Sequence, residues 1–309
     1  MQALCWRSCQ SDVGHIARAK ALSWRRISEA AASVIVTTYN RPDALRCVLE
    51  GLLAQDRRDF DCIVADDGSG PETAAVVESF KPRFAAAGIA RLHWVWQEDK
   101  GFRLAAIRNR ATEQAQSPLI IFLDGDCVPR AAFIRGHTSC AQTLRLSRGS
   151  RVLLTPLLTS DALAGKVQLH LLTTHALWRL RRTGQVNQFI PMVGGVFDGF
   201  RTLWTAARMD RWKSVRTCNL ALHRRCLEQL GGFDERFVGW GLEDSEFSLR
   251  AQHAGLRLLR APAGTTALHL WHREGSPSFS RQSQDLFAAT VAQRLKRTEH
   301  GLRCASQPS

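Results

Sequence analysis

The chain has 309 residues, 45% apolar and 23% charged, the composition of an ordinary globular protein with ample core for one large domain or two small ones. No run approaches about 18 apolar residues, and the N-terminus MQALCWRSCQSDVGHIARAK has no continuous apolar stretch, which argues against a membrane span and a secretory signal. Nine scattered cysteines without a C-x-x-C pair argue against a disulfide framework or a zinc site, and a net charge of +14, carried by 36 Arg against 6 Lys, implies a basic surface whose partner stays open.

Residues 1–30 read as an extension. IARAKALSWRRISEAAA has the basic residues of a helix but only a weak apolar stripe, so a loosely docked or disordered arm is expected. Regular alternation starts at Ser33. SVIVTTYN reads as a strand, and Pro42 suits the first turn of a helix whose apolar face is Leu45, Val48, Leu49, Leu52 and Leu53. FDCIVA (Phe60 to Ala65) is a second strand, closed by Asp66-Asp67-Gly68-Ser69-Gly70-Pro71. PETAAVVESF reads as a helix, Leu92 to Gln97 as a third strand, and Arg103 to Ala115 as another helix. Leu119 to Leu123 opens the fourth strand. This β-α-β-α-β-α-β series predicts an α/β fold with a mostly parallel sheet and right-handed crossovers.

Ligands of such sheets bind beyond the carboxyl ends of the strands. Thr37, Thr38, Asp67, Asp124 and Asp126 are expected to gather there. In LIIFLDGDC the carboxylates of Asp124 and Asp126 are two residues apart, so on extended chain they face one ligand together, and Gly125 would let that ligand approach the backbone. Two convergent carboxylates need a cation or donors to compensate them. A lone D-x-D is more often just an acidic turn after a core strand, and its meaning depends on its neighbours.

From Ala131 to Val215 the pattern is less legible. Helical patches cover Val167 to Leu180 and Phe200 to Arg208, with Gly194-Gly195 between them. Between Trp178 and Arg216 eight Arg or Lys face two Asp, interleaved with Trp178, Trp204 and Trp212. Such a stretch suits an acidic glycan, a lipid head group or single-stranded nucleic acid, and equally a helix surface over core tryptophans. A helix over His223 to Leu230 should stop at Gly231-Gly232. The next is expected to start near Glu243, bury Phe247, Ala251 and Ala254, and end at Gly255. Glu243 and Asp244 would then lie in its first turn, where the helix dipole favours carboxylates. ALHLWHREG places His269 and His272 after a short apolar run. Residues 276–309 read as a tail with one basic amphipathic helix, its stripe formed by Phe287, Val291 and Leu295.

Taken in order, SVIVTTYNRP, the DDGS of Asp66 to Ser69, GFRLAAIRNRA, the DGD and GGFDERFVGWGLEDSEF resemble the glycosyltransferases of family 2, which have the nucleotide-binding GT-A fold. The resemblance covers Ser33 to Glu274 and is weakest over Gln142 to Lys213. Its last block, Gly239-Trp240-Gly241-Leu242-Glu243-Asp244, is similar to the C-terminal segment of galactosyltransferase-like and chondroitin-polymerase-like enzymes. The resemblance implies a single GT-A domain over residues 31–275, with a nucleotide-binding half (31–130), a variable region (131–217) and an acceptor or catalytic half (218–275).

It also implies roles. Thr37 and Tyr39 would line the nucleoside pocket, Asp67 would bond the uracil edge, and Arg103 would steady the nucleotide and its phosphates. Asp124 would face ribose or metal, Asp126 would bind metal, and His269 or His272 would complete the metal shell. Asp244 matches the catalytic base, Glu243 would contact sugar or acceptor, and Trp240 would offer a face to a sugar. Carboxylate and imidazole together suit Mn²⁺, or Mg²⁺. The implied partners are a UDP-sugar donor and a glycan or glycolipid acceptor, in bacterial surface polysaccharide or lipopolysaccharide synthesis. The implied setting is cytoplasmic, at the inner face of the plasma membrane against an anionic surface. A nucleic-acid-binding protein would leave D-G-D, E-D and the paired His without a purpose. An inactive sugar-binding relative is countered by the intact acids. A nucleotidyltransferase would be expected to carry a Gly-rich phosphate loop where TTYNRP stands.

Overall fold

The computed structural model describes residues 32–188, 212–273 and 279–302. The arm over 1–30, the helical patch from Phe200 to Arg208, Gly194-Gly195 and Trp204 lie outside the described residues.

The alternating pattern becomes β1 (Ala32–Thr38), α1 (Pro42–Leu53), β2 (Phe60–Asp66), α2 (Pro71–Ala86), β3 (Arg91–Trp96), α3 (Leu104–Gln114) and β4 (Leu119–Asp124). Pro42 and Pro71 stand in the first turns of α1 and α2, where a missing N–H costs nothing. The chain continues through β5 (Cys127–Pro129), α4 (Phe133–Cys140), β6 (Arg145–Arg148), β7 (Arg151–Leu153), α5 (Pro156–Leu163) and α6 (Thr174–Arg182). It closes with β8 (Asn219–His223), α7 (Arg224–Gln229), α8 (Glu243–His253), β9 (Arg257–Arg260), β10 (Ala267–His269) and α9 (Arg281–Gln293).

Seven strands form one sheet in the order β3-β2-β1-β4-β8-β6-β9, and β5, β10 and β7 form a second, small one. The large sheet is mixed: β8 runs antiparallel to both β4 and β6. Every residue of β1 and β2 is buried, because helices cover both faces. Successive residues of β1 alternate between two cores. Val34 and Val36 pack with α1 and α2, while Ile35 packs with α3 and α8.

Four expectations need correction. The patch from Val167 to Leu180 is not one helix: a 3₁₀ turn at Leu169–Leu171 precedes α6, which starts where the Thr173 hydroxyl accepts the Ala176 N–H. Ala254 is exposed, being past the end of α8 on its outer side. Val291 is exposed and Leu295 lies beyond α9, so Phe287 alone of that stripe meets an aromatic partner, Trp212, at 5.2 Å between ring centroids.

The segment read as a tail is docked. Thr298 N–H donates to Leu230 O (3.0 Å), Leu302 N–H to Gly231 O (2.8 Å), and Thr290 Oγ1 to Glu246 Oε1 (3.1 Å). Gly231 and Gly232 adopt positive φ (75° and 70°), and a Cβ at Gly231 would lie 2.2 Å from Thr298 O. The glycine pair therefore ends α7 and also admits the C-terminal strap.

His137 in α4 is fully buried and bonds Asn219 Oδ1 through Nε2 at 2.9 Å, while its Nδ1 has no partner. A second ring proton would have no acceptor. Burial accordingly pushes this imidazole down to about 4 from an ordinary 6.5. The unfolded chain thus binds the extra proton first. The contribution of His137 to stability is complete above pH 6.5, falls as the pH drops toward 4 and is constant below. Between pH 7 and pH 5 this amounts to about 2 kcal/mol. The stability difference between wild type and His137→Gln, from urea unfolding, should shrink by that amount at pH 5. A difference independent of pH would contradict it.

Candidate active site

The parallel strands β1, β2 and β4 end together, and the expected residues are at those ends. Thr37 Oγ1 donates to Asp124 Oδ1 at 2.9 Å. Gly125 N–H donates to Thr37 O at 2.7 Å, and a Cβ on Gly125 would sit 2.7 Å from that same carbonyl. The glycine between the two acids thus serves the approach of β1, not of a ligand as its sequence position suggested.

Asp67 follows β2 and is buried. Its Oδ2 accepts the Arg103 backbone N–H at 2.7 Å, and its Oδ1 accepts Gln97 Nε2. Burial pushes its carboxyl above the usual range, opposed by these donors. Asp66 beside it is structural: Oδ1 closes the turn through Ser69 N–H and Oδ2 takes Trp94 Nε1. Tyr39, half-exposed, donates its hydroxyl to Asp99 Oδ2 at 2.9 Å. The Arg103 side chain turns back to the Glu98 carbonyl, and its Nε is unpartnered.

Asp126 is the centre of a second group. His269 Nε2 lies 3.6 Å from its Oδ1, and His272 Nε2 lies 3.5 Å from its Oδ2. Ligand atoms of the three residues all fall within 4.8 Å of one another. β10 places His269 there by pairing with β5, immediately after Asp126. The Asp126 Oδ1 is buried without a hydrogen bond, and burial, against the pull of Asp126, holds the His269 imidazole below its ordinary pKa. One carboxylate and two imidazoles fit a borderline divalent cation such as Mn²⁺. Asp124 is not one of this group; its Oδ1 is taken by Thr37 and Arg108.

α8 opens on Leu242, held at φ 72°, after the glycines at 239 and 241, also at positive φ. That bend sets Glu243 inward and buried, while Asp244 stays half-exposed with a 3.3 Å bond from Ser245 Oγ as its one side-chain hydrogen bond among the described residues. Burial first, then Asp244, pushes the Glu243 carboxyl up. Trp240 is 56% exposed and stacks on Phe279 at 5.7 Å and 4°. A Cβ at Gly241 would collide with the Phe279 ring, so the loop and the aromatic pair are built together.

Three residues escaped sequence reasoning. Arg41 Nη1 reaches Asp126 Oδ2 at 3.4 Å, and Arg108 bridges Asp124 Oδ1 (3.4 Å) to Glu243 Oε1 (3.2 Å). Phe279 stands in the supposed tail. The arginines belonged to motifs that had been recognised, but nothing in spacing alone distinguishes them from other basic residues. The basic stretch divides: Trp178 is exposed beneath Arg182, whereas Trp212 packs against Phe287.

Residues 33–137 match the family model "Glycosyl transferase family 2", and residues 202–273 match "N-terminal domain of galactosyltransferase". Residues 33–137 belong to glycosyl transferase family 2. Over 233 residues the chain is 31% identical to a validoxylamine A glucosyltransferase of Streptomyces hygroscopicus subsp. limoneus, covering 72% of the chain and 48% of that protein. It is 26% identical over 248 residues to a chondroitin synthase of Escherichia coli, covering 77% of the chain and 34% of that protein. The chain therefore spans about half the length of these relatives or less. The solved structure of GalNAc-T7 with UDP, GalNAc and Mn²⁺ matches at TM-score 0.56 and 15% identity, covering 85% of this chain and 51% of that one. At that identity the likeness speaks for the fold, which is GT-A. No helix among the described residues is long and apolar enough to cross a membrane.

Proposed function

We propose that this chain is a metal-dependent, inverting glycosyltransferase that moves a sugar from a UDP-sugar to a glycan or glycolipid hydroxyl. The observation that carries the reading is the Asp126–His269–His272 group at the end of β4, whose Asp124 is linked through Arg108 to Glu243 at the α8 N-terminus. A cation held by those three residues would act as a Lewis acid on the diphosphate leaving group. Arg41 and Arg103 add fixed positive charge for the same phosphates. Thr37, Tyr39 and Asp67 form the nucleoside side of the site. On the acceptor side, Trp240 offers an aromatic face and Glu243 a hydroxyl acceptor.

The acceptor oxygen attacks the anomeric carbon from the face opposite the diphosphate. Its proton passes to Asp244, and the carbon–oxygen bond to the diphosphate breaks with its electron pair on the departing phosphate. Attack from the opposite face inverts the anomeric centre. The basic surface and the family's relatives favour polysaccharide or lipopolysaccharide assembly at the inner face of a bacterial plasma membrane. The reading is tested by UDP release from a panel of UDP-sugars with Mn²⁺, with and without chelator. Release from at least one donor, silenced reversibly by chelator, is expected; no UDP binding and no release from any donor would overturn it.

Asp67 should select the base through a carboxylate oxygen facing the uracil N–H. Loss of such a partner costs about 1–3 kcal/mol, so Asp67→Ala should weaken UDP binding about 5- to 150-fold by calorimetry with the melting curve still cooperative. Unchanged affinity would show that the base is read elsewhere.

A further inference from the structure

Arg108 joins the acid at the end of β4 to the acid at the start of α8, and its surroundings say more than charge balance. It lies in α3, is 1% exposed, and has both terminal nitrogens engaged by protein acids. Its two terminal nitrogens go to different acids: Nη2 to Asp124 Oδ1 at the end of β4, and Nη1 to Glu243 Oε1 in the first turn of α8. The guanidinium rests 5.3 Å from the centre of the Phe233 ring, which packs between Phe122 of β4 and Phe247 of α8. The adjacent Asn109 bonds both the N–H and the carbonyl of Phe233, at 2.9 and 2.8 Å. Two successive residues of α3 thus tie the C-terminal half to the strand that carries the D-G-D.

The consequence lies in which oxygens stay free. Arg108 and Thr37 share Asp124 Oδ1, and Arg108 takes Glu243 Oε1. The other oxygen of Glu243 is buried and without a partner. Each acid is held by one oxygen and presents the other. Asp124 has a second support in Thr37, whereas Glu243 has no other side-chain partner among the described residues.

We propose that Arg108 is a positioning residue that sets the acceptor-side carboxylate Glu243 in register with the donor-side carboxylate Asp124. The inference rests on the glycosyltransferase reading above. A planar fork spans both acids, and a lysine ammonium on a flexible stem cannot hold the two at once. Misplacement by about 1 Å is enough to cost about 10²-fold in rate. Because Thr37 still steadies Asp124, the loss should fall on Glu243.

The test is steady-state transfer by R108K and R108M, with R108K also made in the E243Q background. R108K should melt cooperatively, bind UDP with Mn²⁺ within about threefold of wild type, and lose about 10²-fold in kcat. In the E243Q background the same exchange should cost less than about threefold, because its target is already removed. R108M is expected to lose at least as much as R108K, in rate or in fold. A folded R108K at wild-type kcat would overturn the proposal, as would an equal loss with and without E243Q. An R108K that unfolds would mark the residue as structural and overturn it too. A wild-type chain that neither binds UDP nor transfers sugar would instead overturn the functional reading beneath it.

Discussion

Asp126→Ala should abolish Mn²⁺ binding and lower transfer by about 10³-fold or more. Arg41, His269 and His272 all face this carboxylate, which belongs to the one group of three candidate metal ligands among the described residues. A cation's stabilisation of a diphosphate leaving group is worth several kcal/mol, and about 4 kcal/mol corresponds to 10³ in rate. The nucleoside contacts do not pass through Asp126, so UDP should still bind, more weakly for want of phosphate neutralisation. Calorimetry with Mn²⁺ alone, then with UDP, separates the two effects. Within the pair of imidazoles, His269 is the more enclosed, its side chain 12% exposed against 42% for His272. His269→Ala should therefore cost more metal affinity than His272→Ala. Full wild-type activity in excess chelator would remove the cation from the reaction.

Asp244→Asn should lower transfer by about 10²–10⁴-fold, the usual cost of losing a general base, while UDP and Mn²⁺ bind as before. Asp244 stands in the first turn of α8, half-exposed and nearly free of hydrogen bonds, as a base awaiting a substrate hydroxyl requires. Glu243 beside it is buried and fixed to Arg108, which suits an orienting acid better than a proton acceptor in exchange with an acceptor sugar. The decisive comparison is Asp244→Asn against Glu243→Gln, by transfer rate and UDP affinity side by side. Near-normal transfer by the Asn variant with Glu243→Gln inactive would move the base back by one residue. Near-normal transfer by both would take the α8 N-terminus out of the chemistry.

Local pattern made much of this molecule legible. The buried runs at Ser33, Phe60 and Leu119 are strands because apolar residues on both faces need helices on both sides, and the intervening 3.6-residue stripes supply them. Gly231-Gly232 ended a helix where expected, and Glu243-Asp244 began one. The D-G-D stood out because acids directly after a buried strand are costly without a partner.

Other features were not legible, for a reason particular to each. Leu295 and Val291 have the spacing of a helix stripe, yet the strap is held by backbone bonds from Thr298 and Leu302, which no side-chain period reports. β8 enters the sheet antiparallel to β4 and β6, a direction that the apolar period of the sequence does not report. Gly125 looked like room for a ligand, and only the register of β1 beside β4 shows the Thr37 carbonyl filling that room.

By itself, then, the order of residues determined the α/β alternation, the strand ends at which a site must form, and the acids and imidazoles from which it is built. These are consequences of period, burial and charge within a few residues of chain. Only the tertiary structure decided which of them meet. Asp126 joins His269 and His272 across 143 and 146 positions, whereas its near neighbour Asp124 turns to Arg108 and through it to Glu243, 135 positions from that arginine. Such pairings depend on sheet order and on the closing of α8 over α3. A buried guanidinium is satisfied by whatever acids the fold brings to it, and no local pattern names them in advance.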